Sequence, residues 1–299
     1  MLDSPAIAVG LPIALAIIMF GLGLSLTVQD FLRVGRSPRA TIVALACQIV
    51  LLPAICFGLV IAVDLDPVLA VGMMLLAAAP GGTTANLFSY LAGGDVALNI
   101  TLTAINSVLA VVTIPIVVNA SATYFLGTDT ELGLPPGEVL AVVAIVVVPV
   151  AIGMAVRNRA PDFAERMQRP VKIGSAVVLA LVIVVALAGA WDVFVDNVLT
   201  VGSISLVLCS LGLALGYWVP RSIGVSRRQS IASSMEVGIQ NATLAITIAV
   251  TLMDNTELAV APAVYGLLMF FPAATAGFLL ARGSDRAASS ARPTAGGSC

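Results

Sequence analysis

Apolar runs long enough to cross a lipid bilayer follow one another along this chain. Residues 6–28 and 139–156 are two of them. A hydrocarbon core of ~30 Å needs about 20 helical residues. Further runs follow, joined by short polar stretches. Charged residues make up 10% of the sequence and hydrophobic residues 60%, whereas a soluble domain carries roughly 25% charged residues. The expectation is an all-α polytopic membrane protein set in a lipid bilayer, with little chain left for a soluble domain and no nucleic-acid partner.

The runs divide into nine expected spans: 6–28, 41–63, 68–92, 96–126, 138–156, 173–190, 198–219, 229–253 and 259–281. Under this threading all 14 Lys and Arg residues fall on one side. Arg33, Arg36 and Arg39 follow the first span. Arg157, Arg159, Arg166, Arg169 and Lys172 follow the fifth, Arg221, Arg227 and Arg228 the seventh, and Arg282, Arg286 and Arg292 the ninth. By the positive-inside rule that side is the cytoplasm of a plasma-membrane protein, so the N-terminus lies outside and the C-terminus inside. Asp64, Asp66, Asp129, Glu131, Asp192, Asp196, Asp254 and Glu257 occupy the opposite loops. Residues 282–299, rich in Ser, Ala and Gly, read as a disordered cytoplasmic tail. The first apolar run lacks a basic flank and exceeds a secretory h-region, so no cleaved leader is expected.

Composition also removes whole classes of chemistry. The chain has no histidine, which excludes histidine-based metal sites, triads and proton relays. Cys47, Cys56 and Cys209 lie inside apolar runs without metal-type spacing and read as small buried hydrophobes.

Two spans are interrupted. The third reads Ala79-Pro80-Gly81-Gly82-Thr83-Thr84-Ala85-Asn86. Proline removes a helical donor and clashes with the preceding turn, and the glycines loosen the backbone further. Such a break within a membrane is costly unless it faces a cavity or a ligand. The eighth reads Glu236-Val237-Gly238-Ile239-Gln240-Asn241. Pro and Gly often only kink membrane helices, and a lone amide can simply bond a neighbouring helix. A carboxylate at a helix centre is harder to dismiss, since it costs ~2.5–3.5 kcal/mol even on a lenient insertion scale. The third span runs inward and the eighth outward. Broken helices at corresponding places in inverted halves point to a midplane transport site. No residue-level repeat accompanies them.

The polar residues offer oxygen ligands: Gln48, Asn86, Asn99, Thr103, Glu236 and Gln240. Hard cations take such ligands, and a single carboxylate with neutral oxygens suits Na⁺. The half-helix beginning at Thr83 and Thr84 presents free N–H groups and a positive dipole end to an anion. A cation site beside an anion site is the logic of a symporter.

Pro80-Gly81-Gly82-Thr83-Thr84-Ala85-Asn86, Tyr90-Leu91-Ala92, Gly94-Asp95-Val96-Ala97-Leu98 and Glu236-Val237-Gly238-Ile239-Gln240-Asn241 resemble the bile acid:sodium symporter family, as does Ile18-Met19-Phe20-Gly21-Leu22-Gly23-Leu24. The resemblance covers essentially the whole chain. It implies a panel domain (about 6–28, 138–156 and 173–190) and a core domain (about 41–126 and 198–281) in which the two broken helices cross. It also implies nine helices, as though a leading panel helix were missing. One sodium site would use Asn86, Asn99, Thr103 and Glu236. A second would use Gln48, Glu236, Gln240 and the carbonyls of Val237 and Ile239. Ala85 and Asn99 each stand where the family usually has Ser. Phe270 and Phe271 replace an often polar pair. Thr83, Thr84, Asn241, Phe270 and Phe271 are the expected substrate contacts. The expected cargo is a small organic anion, such as a keto or hydroxy acid, rather than a bile acid.

Three other readings compete on the residues alone. One is a proton-coupled or uncoupled carrier in which Glu236 titrates. A metalloid efflux carrier would want a cysteine near the third-span break, and none is there. An intramembrane enzyme would want a Ser/Lys dyad or paired carboxylates within the spans, which the sequence lacks.

Overall fold

The computed structural model describes residues 13, 16, 17, 19–21, 23–127 and 136–290, and these are helical with short connections. In chain order they form α1 (helical residues between 13 and 25), α2 (Val28–Leu32), α3 (Pro38–Ala62), α4 (Pro67–Ala78), α5 (Thr83–Leu91), α6 (Val96–Leu126), α7 (Pro136–Arg159), α8 (Pro161–Gly189), α9 (Trp191–Ser222), α10 (Arg227–Gly238), α11 (Ala242–Thr247), α12 (Val260–Leu268) and α13 (Phe270–Ser290). Among the described residues four helices are long and apolar enough to cross a membrane: Pro38–Ala62, Val96–Leu126, Trp191–Ser222 and Val260–Ala281.

Side-chain caps fix where the helices begin. Asp66 accepts from the Val68 and Leu69 amides at 2.9 and 3.4 Å, and Asp95 accepts from Leu98 at 3.1 Å. Ser226 Oγ accepts from the Gln229 amide at 3.4 Å, and Asn241 Oδ1 from Leu244 at 3.1 Å. Each satisfies an amide with no partner in its own first turn.

α3 is not a uniform α-helix. Cys47–Leu51 form a π-helical turn in which the Leu52 amide reaches the Cys47 carbonyl. Pro53 follows directly and has no N–H to give the ladder. The wider turn lies at Gln48, a residue buried in the interior.

α4 and α5 are the halves of one interrupted helix, with the break at residues 79–82. α10 and α11 are the halves of another, broken at 239–241, and a π-helical turn Ile248–Leu252 continues α11. α10 packs closely on α9: a β-carbon on Gly216 would lie 2.6 Å from the Ser233 carbonyl oxygen. A side chain there would push the Glu236-bearing helix outward.

One expectation is corrected. Residues 157–172 are not an open loop, because α7 runs to Arg159 and α8 starts at Pro161, leaving Ala160 as the joint. The charges there still permit helix, since Arg, Glu, Met, Gln and Lys are good helix formers. Helix α13 runs to Ser290. Ala and Arg in that stretch carry high helix propensity. The parts of the tail, the first span and the 128–135 loop that fall at 291–299, 1–12 and 128–135 lie outside the described residues.

Candidate functional site

The two helix breaks meet. Gly81 and Gln240 form an antiparallel bridge. The Gly82 amide donates to the Ile239 carbonyl at 2.8 Å, and the Asn241 amide donates to the Pro80 carbonyl at 2.9 Å. Each break therefore supplies the partners that the other lost when it left helical geometry, which answers the cost of unpaired backbone in an apolar interior.

Neighbouring helices satisfy the remaining carbonyls. Gln48 Nε2 donates to the Ala79 carbonyl at 2.9 Å. Tyr265 Oη and Cys209 Sγ both donate to the Gly238 carbonyl, at 2.9 and 3.2 Å. Gln240 Nε2 donates to the Val237 carbonyl at 2.6 Å. The carbonyls of Val237 and Ile239, both expected cation ligands, thus each hold one hydrogen bond and keep a second lone pair.

Glu236 sits at the end of α10, fully buried. Its carboxylate accepts from Thr103 Oγ1 at 2.6 Å, Asn106 Nδ2 at 3.0 Å and Asn99 Nδ2 at 3.5 Å. These three residues recur at i, i+4 and i+7 on α6 and so share one face. The contacts are neutral, so they stabilise the charge by hydrogen bonding without neutralising it. Gly81 lies directly against the carboxylate: a β-carbon there would fall 2.4 Å from Glu236 Cδ.

Gln48 and Gln240 join the cluster from α3 and the second break. Gln48 Nε2 donates to Gln240 Oε1 at 2.9 Å, and Gln240 Nε2 lies 3.4 Å from Gln48 Oε1. Asn99 Nδ2 also donates to the Ala232 carbonyl at 2.8 Å. The side-chain oxygens Oδ1 of Asn86, Asn99 and Asn106 are buried without a hydrogen-bond partner. All three are acceptors, so the cluster wants positive charge rather than another anion. Among the described residues no group of three or more His, Cys, Asp or Glu converges. One carboxylate with several neutral oxygens fits a monovalent cation better than a divalent one.

The structure places Gln48, Asn99, Thr103, Glu236, Val237, Ile239 and Gln240 around the crossing. Asn86 is half-buried on α5 with its oxygen unpaired. Ala85 is buried and brings no hydroxyl. Asn241, 8% exposed, spends its oxygen on capping α11. Thr84 is half-buried at the start of α5, and the side chain of Thr83 lies outside the described residues. Phe270 and Phe271 part company. Phe270 stacks on Phe88 with ring centroids 6.1 Å apart, while Phe271 is 68% exposed and lines a cavity of ≈ 620 Å³ with Leu213, Tyr217, Ser234 and Thr275. The sequence reading missed Asn106 and the Tyr265–Cys209 pair. The polar stripe on α6 was the signal for Asn106; no local signal marks Tyr265.

Two broken helices crossing at their breaks, with a buried carboxylate and amides at the crossing, are the architecture of helical membrane carriers that bind near the midplane. The sequence profile of the sodium bile acid symporter family matches residues 12–197, and the chain belongs to that family. It is a membrane transporter and not an enzyme. It is 28% identical over 288 residues to the human ileal sodium/bile acid cotransporter, covering 93% of this chain and 80% of that protein. It is 27% identical over 237 residues to YocS of Bacillus subtilis (strain 168), described as an uncharacterized sodium-dependent transporter, covering 79% and 72%. The human sodium-dependent organic anion transporter is 27% identical over 277 residues, covering 90% and 70%.

Proposed function

We propose that this protein is a sodium-coupled symporter that carries an organic anion inward by alternating access. The observation that carries the reading is the fully buried Glu236 carboxylate, held only by neutral donors beside unpaired amide oxygens. Two Na⁺ ions share that carboxylate. One is held by Asn86, Asn99, Thr103 and Glu236. The other is held by Gln48, Glu236, Gln240 and the second lone pairs of the Val237 and Ile239 carbonyls. Each cation removes the penalty of a buried charge, so cation binding completes the crossing. The positive ends of the half-helices at Thr83 and Ala242 then favour an anionic group nearby.

The topology proposed with it has nine spans, the N-terminus outside and the C-terminus in the cytoplasm. α1, α7 and α8 form a panel against a core of α3–α6 and α9–α13, whose two helix–broken helix–helix units run in opposite directions. Rocking of core against panel exposes the crossing to one side and then the other.

The cargo is a monocarboxylate of keto- or hydroxy-acid type. A larger amphipathic anion is the second reading, favoured by the ≈ 620 Å³ cavity beside Ser234 and Phe271, a volume within the range that holds drug-sized ligands.

The test is uptake into proteoliposomes with an imposed sodium gradient and a separately clamped potential. Two Na⁺ with one monovalent anion carry net positive charge, worth ~2.3 kcal/mol per 100 mV. Uptake should therefore rise with an interior-negative potential. Potential-independent uptake would defeat the two-to-one coupling, and uptake driven equally by a proton gradient without sodium would favour the proton-coupled carrier. Taurocholate transported in place of small acids would select the second cargo.

A further inference from the structure

A small cavity of ≈ 10 Å³ lies between α3, the first helix break and α6, lined by Gln48, Pro53, Ala79, Pro80, Asn106 and Thr113 among others. That volume admits one water-sized particle. We infer that it is a cation station on the way to Glu236, and that Asn106 is the residue connecting the two. The inference rests on the sodium-symport reading above and adds a third position and a further residue to it.

The Asn106 side chain is 3% exposed, and its two polar ends do different things. Nδ2 donates to Glu236 Oε1 at 3.0 Å, and Oδ1 is buried with no hydrogen-bond partner. The amide cannot be turned over to cure this, because Oδ1 would then face the carboxylate. Its free acceptor is therefore held in place by the charge of Glu236. Other oxygens surround the cavity. The Ala79 carbonyl accepts a single hydrogen bond, from Gln48 Nε2, and keeps a lone pair. Gln48 Oε1 has only the 3.4 Å approach of Gln240 Nε2. Thr113 adds a hydroxyl about two helical turns beyond Asn106 on α6. A hole of this size, in which Gln48, Asn106 and Thr113 stand among apolar Ile49, Pro53, Ala78 and Val117, is too small for an organic anion and fits a dehydrated monovalent cation. In the proposed orientation Thr113 and Val117, both half-buried, lie on the external side of Asn106. A cation entering there reaches Glu236 within the core, apart from the large apolar cavity at Phe271.

The experiment compares purified Asn106→Leu and Glu236→Gln with the parent by equilibrium ²²Na⁺ binding, and follows thermal stability in sodium and in potassium. Leu keeps the branching and heavy-atom count of Asn, is bulkier, and removes both polar ends. Sodium affinity should weaken about tenfold in Asn106→Leu, the scale of one lost charge-assisted contact. A purely structural Asn106 would instead lower stability equally in both salts and leave affinity alone. That result overturns the proposal. A second arm places Thr113→Cys in a Cys299→Ser background and titrates it with Ag⁺, a thiol-reactive monovalent cation, at low temperature against the Cys299→Ser protein alone. Sodium, but neither potassium nor the organic anion alone, should protect the thiol. Equal reactivity in sodium and potassium overturns the station even if Asn106→Leu fails to fold. The controls separate the two readings. Sodium binding lost in Glu236→Gln but unchanged in Asn106→Leu defeats the station alone, whereas full binding in Glu236→Gln defeats the shared-carboxylate reading beneath it.

Discussion

Gly81 packs its α-carbon against the carboxylate of Glu236, so closely that a methyl group there would stand 2.4 Å from Glu236 Cδ and 2.5 Å from both of its oxygens. The contact joins the two broken helices at the point where charge is concentrated. It explains why a glycine, rather than any small residue, occupies the third position of the first break. Gly81→Ala should cut the apparent sodium affinity of uptake by an order of magnitude or more, because overpacking a rigid site costs ~1–3 kcal/mol. Gly58→Ala, whose β-carbon would meet nothing within 4 Å, is the matched control and should transport normally. Sodium titrations of uptake by both variants check this.

Glu236→Gln keeps the shape of the side chain and removes its charge. The expected outcome is a folded protein whose uptake no longer responds to a sodium gradient, since two neighbouring cations depend on that one charge. Normal elution and helicity with parent-level sodium-driven uptake would contradict the assignment.

Tyr265 acts on the site at one remove, through the Gly238 carbonyl that it shares with Cys209. Tyr265→Phe should lower stability by about 1 kcal/mol, the net value of one hydrogen bond. Adding Cys209→Ala should cost more than the two single changes summed, because the buried carbonyl then loses both donors. Thermal unfolding of the four proteins in detergent supplies the cycle.

Orientation is testable with thiols. Glu257 is exposed in the connection between α11 and α12. In a protein whose native cysteines are replaced, Glu257→Cys should react with an impermeant reagent in intact cells. Cys299, retained alone in a second protein, should react only after lysis. Reversal of the two results would invert the topology.

Much of the helical layout was legible in the chain. Apolar runs gave helix α6 at 96–126, and the Pro-Gly-Gly and Gly-Ile-Gln-Asn stretches marked both breaks within a residue or two. The ends at charged connections were harder to read. Arg166, Arg169 and Lys172 signal polarity, yet they also favour helix, so α8 starts well before its apolar run. Asn106 went unread because its amide resembles any other that bonds across helices, and only its spacing from Asn99 and Thr103 sets it on the stripe that faces Glu236.

By itself the sequence determined that this chain belongs in a bilayer, that it breaks two of its helices, and that one carboxylate lies among apolar residues. Those are local facts, fixed by run length, by proline and glycine, and by charge. Only the tertiary structure decided that the breaks face each other, with the Gly82 amide on Ile239 and the Asn241 amide on Pro80. It likewise separated Phe270 from Phe271, adjacent in sequence, onto different neighbours. The reason is that an unpaired backbone group names no partner: it requires only that one exist, and which group meets it depends on how distant helices pack.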